Sequence, residues 1–195
     1  MRIIAGKYKA KRIEGPKTIS TRPTLDRVKE ALFSIISNKL EDASVLDLFS
    51  GTGNLALESI SRGAKFAFIN DFQNVCISTI VNNIKLTNSE NYVKITRKDY
   101  TKCLKQIVNE EYLFDIIFLD PPYDSECGIK SLEFISDNKG KILKKDGIIV
   151  YETDKSFVNK KLMKNEQIFD SFQNIECFDE RTYGTVILKL YRWRD

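Results

Sequence analysis

An α/β fold with a mainly parallel sheet is predicted by two observations. Five short apolar runs recur along the 195-residue chain, at 45–49, 66–69, 92–95, 114–119 and 147–151, and helix-like stretches separate them. Continuous rather than alternating apolar runs mark strands buried on both faces, which is the condition of strands in a parallel sheet layered between helices.

Taken in order, residues 2–13 (RIIAGKYKAKRI) are expected to form two short strands around Ala5-Gly6, a hairpin in which Lys7, Lys9 and Lys11 share one face. Gly15-Pro16 and Arg22-Pro23 mark a loop. Thr24 has the character of an N-cap, with Leu25, Val28, Ala31, Leu32, Ile35 and Ile36 behind it at amphipathic-helix spacing. Helices are expected again over 55–61, 75–86 and 100–108. Near the end, 185–191 (TVILKLY) reads as a strand and 167–178 as its antiparallel neighbour. No repeat, low-complexity tract or linker intervenes. The expected organisation is one α/β domain over 41–195, preceded by a basic hairpin-and-helix extension over 1–40.

Composition narrows the function classes. No apolar run approaches the roughly 20 residues that a membrane span requires, and the first residues lack the apolar stretch of a secretory leader. A cytoplasmic, monomeric protein is expected. The four cysteines (Cys76, Cys103, Cys127 and Cys177) are dispersed and the chain has no histidine. Neither a zinc set nor a triad with an imidazole base can be assembled, so no metal is expected. The net charge of +4 is unevenly spread. Residues 1–30 hold nine Lys/Arg against three acids, a local +6, which leaves −2 for the remainder. A basic end on a slightly acidic body points to a polyanionic partner.

The functional signal lies where the strands end. Open α/β sheets bind ligands beyond the carboxyl ends of their strands, and the first four predicted ends each carry an aspartate: Asp47, Asp71, Asp99 and Asp120. Asp47 precedes Phe49-Ser50-Gly51-Thr52-Gly53, where the glycines permit a tight turn and close approach of a ligand to backbone and helix N-terminus. Asp71 suits the vicinal hydroxyls of a ribose, Asp99 an adenine amine, and Asp47 the ammonium of an amino-acid moiety. The combination describes an adenosine ligand with a zwitterionic tail. Gly51-Thr-Gly53-Asn-Leu-Ala56 alone also fits a dinucleotide pattern, so a nicotinamide-dependent oxidoreductase stays open at this point.

Asp120-Pro121-Pro122-Tyr123 follows the fourth run directly. Two prolines remove two backbone donors and stiffen the turn, leaving acceptors. A planar amine is a donor pair that the Asp120 carboxylate and the Pro121 carbonyl can hold while Tyr123 stacks on the attached ring. Such an amine is a poor nucleophile, and alignment with an electrophilic methyl in a polar setting supplies the catalysis. The same chemistry serves adenine N6 on DNA or RNA.

Asp47-x-Phe49-x-Gly51-x-Gly53 together with Asp120-Pro121-Pro122-Tyr123 resembles class I S-adenosylmethionine methyltransferases that act on exocyclic amines. Arg2-Ile3-Ile4-Ala5-Gly6, then Thr21-Arg22-Pro23-Thr24-x-Asp26-Arg27-Val28-Lys29-Glu30-x-Leu32-Phe33, resembles the RsmD family of 16S rRNA guanine-N2 methyltransferases. Leu57-Glu58-x-x-Ser61-Arg62-Gly63-Ala64 and Tyr183-Gly184 belong to the same likeness.

The resemblance implies a Rossmann-like class I methyltransferase fold, with a seven-stranded, mostly parallel sheet and an antiparallel C-terminal hairpin. It implies S-adenosyl-L-methionine held by Asp47, Phe49, Gly51, Gly53, Asp71 and Asp99, and catalysis by Asp120, Pro121, Pro122 and Tyr123. The substrate it implies is small-subunit rRNA, at the guanine-966 position, either assembled or assembling. Contacts to that RNA are expected from Lys7, Lys9, Lys11, Arg12, Arg22 and Arg27. For Arg22, Arg27 and Glu30, organising the N-terminal helix or touching the cofactor tail are equal alternatives. Two positions depart from the family pattern: Asn70, where an apolar residue is usual, and Gln73, where a second acid is common. A folded RNA-binding assembly factor without activity is a further alternative.

Overall fold

A computed structural model of the chain describes residues 1–15, 24–122, 125–163 and 172–195, without the side chains of residues 24, 25 and 162. It forms two compact units, Met1–Asp99 and Tyr100–Asp195.

The first unit holds α1 (Thr24–Ile35), β1 (Ser44–Asp47), α2 (Asn54–Ser61), β2 (Phe66–Asn70), α3 (Asn74–Thr87) and β3 (Val93–Thr96). β2 pairs in parallel with β1 on one side and with β3 on the other, in registers that set Asp47 beside Ile69 and Asn70 beside Thr96. Val45, Leu46, Phe68 and Ile69 are fully buried, as continuous apolar strands require when both faces are covered. The expected helix over 75–86 is α3, whose buried Thr79, Ile80, Asn83, Ile84 and Thr87 follow a helical period.

The second unit holds α4 (Tyr100–Asn109), β4 (Phe114–Leu119), α5 (Cys127–Asp137), β5 (Leu143–Asp154), α6 (Lys155–Met163), β6 (Ile175–Tyr183) and β7 (Val186–Trp193). β4 and β5 are parallel, and β7 runs antiparallel to both β5 and β6. The full strand order is β3-β2-β1-β4-β5-β7-β6, a seven-stranded sheet, mostly parallel with antiparallel strands at its C-terminal end. No helix among the described residues is long and apolar enough to cross a membrane.

The strands expected after residue 40 are present; α6 was not expected, and β5, α5 and β6 differ from expectation. β5 runs for 12 residues where an apolar run of five marked it, because Lys144, Lys145 and Asp146 extend its start with polar side chains and Glu152 and Asp154 its end. α5 was not foreseen. Its buried face mixes Ile129, Leu132 and Ile135 with Gly128, Ser131 and Ser136, small residues that blur an apolar period. Gly128 lies so close to Tyr151 that a Cβ there would come within 2.3 Å of the ring. The expected neighbour of the last strand, 167–178, is β6, which begins at Ile175; residues 167–171 of that expectation lie outside the described residues.

The N-terminal hairpin is corrected. The chain reverses where expected, but only Arg2 and Arg12 make a bridge, so there are no two strands. Gly6 and Ala10 both take left-handed conformations (φ 80° and 65°), folding residues 5–10 into turns, with Ala10 donating to the Ile3 carbonyl and Lys11 to that of Tyr8. Buried Ile3, Tyr8 and Ile13 anchor the loop. Strand alternation therefore does not place Lys7, Lys9 and Lys11 on one face: Lys7 and Lys9 are exposed, and Lys11 is half-buried.

Candidate functional site

Within the first unit the ligand-side ends of β1, β2 and β3 are tied together by Asn70, which is 1% exposed. Its amide nitrogen donates to the Leu48 and Lys98 carbonyls at 3.1 and 3.0 Å, and its oxygen accepts from the Thr96 hydroxyl and the Lys98 N–H at 2.9 and 3.1 Å. Every hydrogen-bonding direction of the amide is used. An apolar residue here would orphan these groups, so the departure from the family pattern has a structural purpose. Through Lys98, Asn70 fixes the segment that carries the half-buried Asp99.

Asp47, also 1% exposed, closes β1. One carboxylate oxygen accepts from the Ser50 hydroxyl at 2.7 Å and from the Ala56 N–H at 3.3 Å. It thereby braces the turn and the first residues of α2, while Phe49 sits half-buried between them. Gly51 and Gly53 have φ of 56° and 79°, a region that L side chains avoid. A Cβ on Gly51 would meet no atom within 4 Å, so the backbone there faces open space.

Asp71 follows β2. Its two oxygens accept from the backbone N–H groups of Gly51 at 2.9 Å and Gln73 at 2.8 Å. Each oxygen retains a further lone-pair direction, so the carboxylate is oriented but not saturated. Gln73 contributes its main chain, which explains why a second acid is dispensable there. Beside Asp71, burial and then the Asp71 charge push the Cys76 thiol up to about 11. Phe72, the next residue, is 73% exposed. An aromatic ring held in water at a ligand-side strand end is a feature the sequence reading missed, although its adjacency to Asp71 was a usable signal.

In the second unit Asp120 follows β4, itself fully apolar in its last four residues and buried. Asp120 keeps some exposed surface, yet its carboxyl is pushed well above the ordinary carboxylate range, first by burial and then by the charge of Glu152. Pro121 is buried and Pro122 exposed, and the Pro122 carbonyl accepts from the Ser125 hydroxyl at 2.7 Å. Tyr123 lies outside the described residues. A small pocket opens beside this turn, lined by Pro121, Pro122, Ser125, Glu152, Thr153 and Phe157 among others.

Of the basic set, Lys7, Lys9, Arg12 and Arg27 are exposed, and Arg22 lies outside the described residues. The Lys7 ammonium lies 5.4 and 5.5 Å from the ring centroids of Tyr8 and Tyr92. How the N-terminal loop is held was not foreseen. Glu58 of α2, fully buried, accepts from the N–H groups of Ile4 and Ala5 at 2.8 and 3.0 Å and pairs with Lys29 and Arg62 at 3.1 and 2.8 Å. The Ser61 hydroxyl donates to the Ala5 carbonyl at 2.6 Å and accepts from Tyr8 N–H at 2.8 Å. A Cβ at Gly6 would sit 1.8 Å from the Ser61 carbonyl oxygen, so only glycine fits that approach. Asn83 of α3 accepts from Glu14 N–H at 2.7 Å and donates to the Thr52 carbonyl at 2.9 Å, linking the same segment to the glycine turn.

The model of the family described as "Conserved hypothetical protein 95" matches residues 1–192. The chain is 31% identical over 194 residues to "Putative rRNA methyltransferase YlbH" of Bacillus subtilis, covering 100% of both chains. It is 30% identical to "Ribosomal RNA small subunit methyltransferase D" of Haemophilus influenzae, covering 98% of this chain and 93% of that one. Among solved structures, "Putative methyltransferase yhhF from Escherichia coli" superposes with a TM-score of 0.80 at 24% identity, over 100% of this chain and 98% of the other. That likeness is one of fold.

Proposed function

Since the chain belongs to the RsmD family, we propose that it transfers a methyl group from S-adenosyl-L-methionine to the exocyclic N2 amine of one guanine in 16S rRNA, at the position numbered 966. The observation that carries this reading is the Asp120-Pro121-Pro122 turn: a carboxyl of raised proton affinity, beside a pocket, directly after an apolar strand.

In this reading the first unit binds the cofactor. Asp71, oriented by two backbone donors, takes the ribose hydroxyls, and Phe72 offers its exposed ring to the adenine, with Asp99 beside it for the adenine amine. Gly51 and Gly53 let the cofactor approach the turn. Asp47 acts through that turn, bracing Ser50 and Ala56 against the amino-acid end. The cofactor brings an electrophilic methyl. The protein's task is to hold the guanine amine in line with it and to withdraw a proton from nitrogen as the bond forms. Asp120 suits that task because its environment favours the protonated carboxyl. Tyr123 would stack on the base.

The basic extension over 1–40 supplies RNA affinity, and the domain over 41–195 supplies the chemistry. Lys7, Lys9, Lys11, Arg12, Arg22 and Arg27 are the proposed phosphate contacts. The protein works in the cytoplasm, as a monomer and without a metal, on the small subunit or an assembling precursor.

Labelled methyl transfer to naked rRNA, to small subunits and to DNA, followed by digestion to nucleosides, tests the reading. Label on guanine N2 from rRNA is expected. Label on adenine N6, or calorimetric preference for a nicotinamide dinucleotide over S-adenosylmethionine, overturns it.

A further inference from the structure

The fifth parallel strand end also carries an acid. In the β4–β5 register Leu119 lies beside Tyr151, and an acid follows each of them: Asp120, the first residue past β4, and Glu152 within β5. Leu119 and Tyr151, in register, face the same side of the sheet, so the two acids leave neighbouring positions on it. Their proximity has an electrostatic signature, since the Glu152 charge adds to burial in raising the proton affinity of Asp120. Glu152 lines the pocket beside the Pro-Pro turn. Asp154, which also lines the pocket, accepts from the Ser156 N–H at 2.7 Å at the start of α6.

We propose that Glu152 is a specificity-determining residue that accepts the N1–H of the target guanine while Asp120 accepts from its N2 amine. This deepens the guanine-N2 reading and rests on it. Two ionised carboxylates side by side are acceptors only. Guanine answers them with two adjacent donors, N1–H and N2–H. Adenine sets an acceptor, N1, next to its amine, and would leave one carboxylate facing a lone pair. In the free protein, like charges this close favour retention of a proton by the pair. The guanine edge takes that proton's place, so acceptor binding releases it. An adenine edge would need it kept.

2-Aminopurine keeps the N2 amine but lacks both N1–H and the O6 carbonyl, presenting N1 as an acceptor, so the Glu152 variants are what isolate the N1 contact. The experiment uses the full chain and small subunits reconstituted with rRNA bearing guanine or 2-aminopurine at the methylated position. Wild type is expected to prefer guanine in kcat/KM by on the order of 10–100-fold, the loss associated with one charged hydrogen bond. Glu152→Gln, whose amide can donate to N1, should bring the ratio near one with unchanged cofactor affinity. Glu152→Asp should restore part of the preference, and the wild-type ratio should grow with pH as the pair ionises. Equal rates on both bases with wild type, or an undiminished preference in a folded Glu152→Gln variant, overturns the role of Glu152 while leaving the guanine-N2 reading intact. If wild type never labels guanine N2, that underlying reading fails first, and the two failures are distinguishable in the nucleoside digest.

Discussion

Replacing Glu58 with alanine removes four contacts at once: the acceptor for Ile4 and Ala5 N–H, and the partner of Lys29 and Arg62. Lys29 is 4% exposed, and burial already pushes its pKa down more than the Glu58 charge draws it up. Stranding a buried charge by deleting its partner costs about 3–5 kcal/mol. Two orphaned amides add about 1 kcal/mol each at the low end of the usual penalty, because both are only part-buried and can take up water. Lys29 offsets part of this through the Arg2 carbonyl at 2.7 Å and Asn54 at 2.8 Å. A net loss of about 3–5 kcal/mol is expected, or a fall in Tm of about 6–20 °C for a chain of this size. Urea unfolding supplies the first quantity and calorimetry the second. Hydrogen exchange should show the Ile4 and Ala5 amides losing protection before the rest of the unit. Adding Lys29→Met to Glu58→Met should recover much of the loss, since the more deeply buried cation goes with its partner and the half-buried Arg62 still reaches water. A loss below about 1 kcal/mol with both amides still protected would refute the reasoning.

Four further expectations follow from the sites. Asp71→Ala should weaken S-adenosylmethionine binding by about 1–3 kcal/mol through lost charged hydrogen bonds, with Asp71→Asn milder because it keeps the acceptor for Gly51; isothermal calorimetry decides, and unchanged affinity removes Asp71 from the site. Asp120→Ala should abolish methyl transfer in single turnover while sparing cofactor affinity. Asp120 also predicts a pH dependence. A carboxyl whose folded pKa is raised contributes stability that is full below its unfolded value and lost as pH rises through the folded one. Asp120→Asn should flatten that decline, and a wild-type slope in urea titrations across pH would contradict it. Exchanging Lys7, Lys9 and Lys11 together for glutamine should lower affinity for the small subunit and reduce its salt slope by up to about three contacts' worth; equal slopes would refute the RNA-contact role.

The strand ends were legible because burial on both faces writes itself as mostly apolar runs, and because Asp71 and Asp120 stand just past such runs and Asp47 near the end of the first. The same rule carried one strand further finds Glu152, immediately after the run 147–151. β5 exceeded its apolar run because strand pairing is made by the backbone, which polar Lys144–Asp146 satisfy as well as any. The docking of the N-terminal loop was hidden for a different reason. Glu58 sits on a helix whose last six residues are all buried, and a helical period reports one buried face, not which charge lies under a loop 50 residues away. Only the resemblance, by including Glu58 and Ser61, pointed to them. Lys7, Lys9 and Lys11 misled because alternation implies a shared face only in extended chain, and the left-handed Gly6 and Ala10 bend it.

β7 lies between β5 and β6, both of which precede it in the chain. A growing polypeptide therefore exposes the edge of β5, from Ile149 to Asp154, with no strand to cover it until residue 186 has emerged. In the folded chain β6 does not cover that edge, since its partner across Ile175–Tyr183 is β7. The second unit must therefore wait on the ribosome with a sticky margin open, and a stalled or nicked chain ending anywhere before Val186 is a candidate for edge-to-edge association.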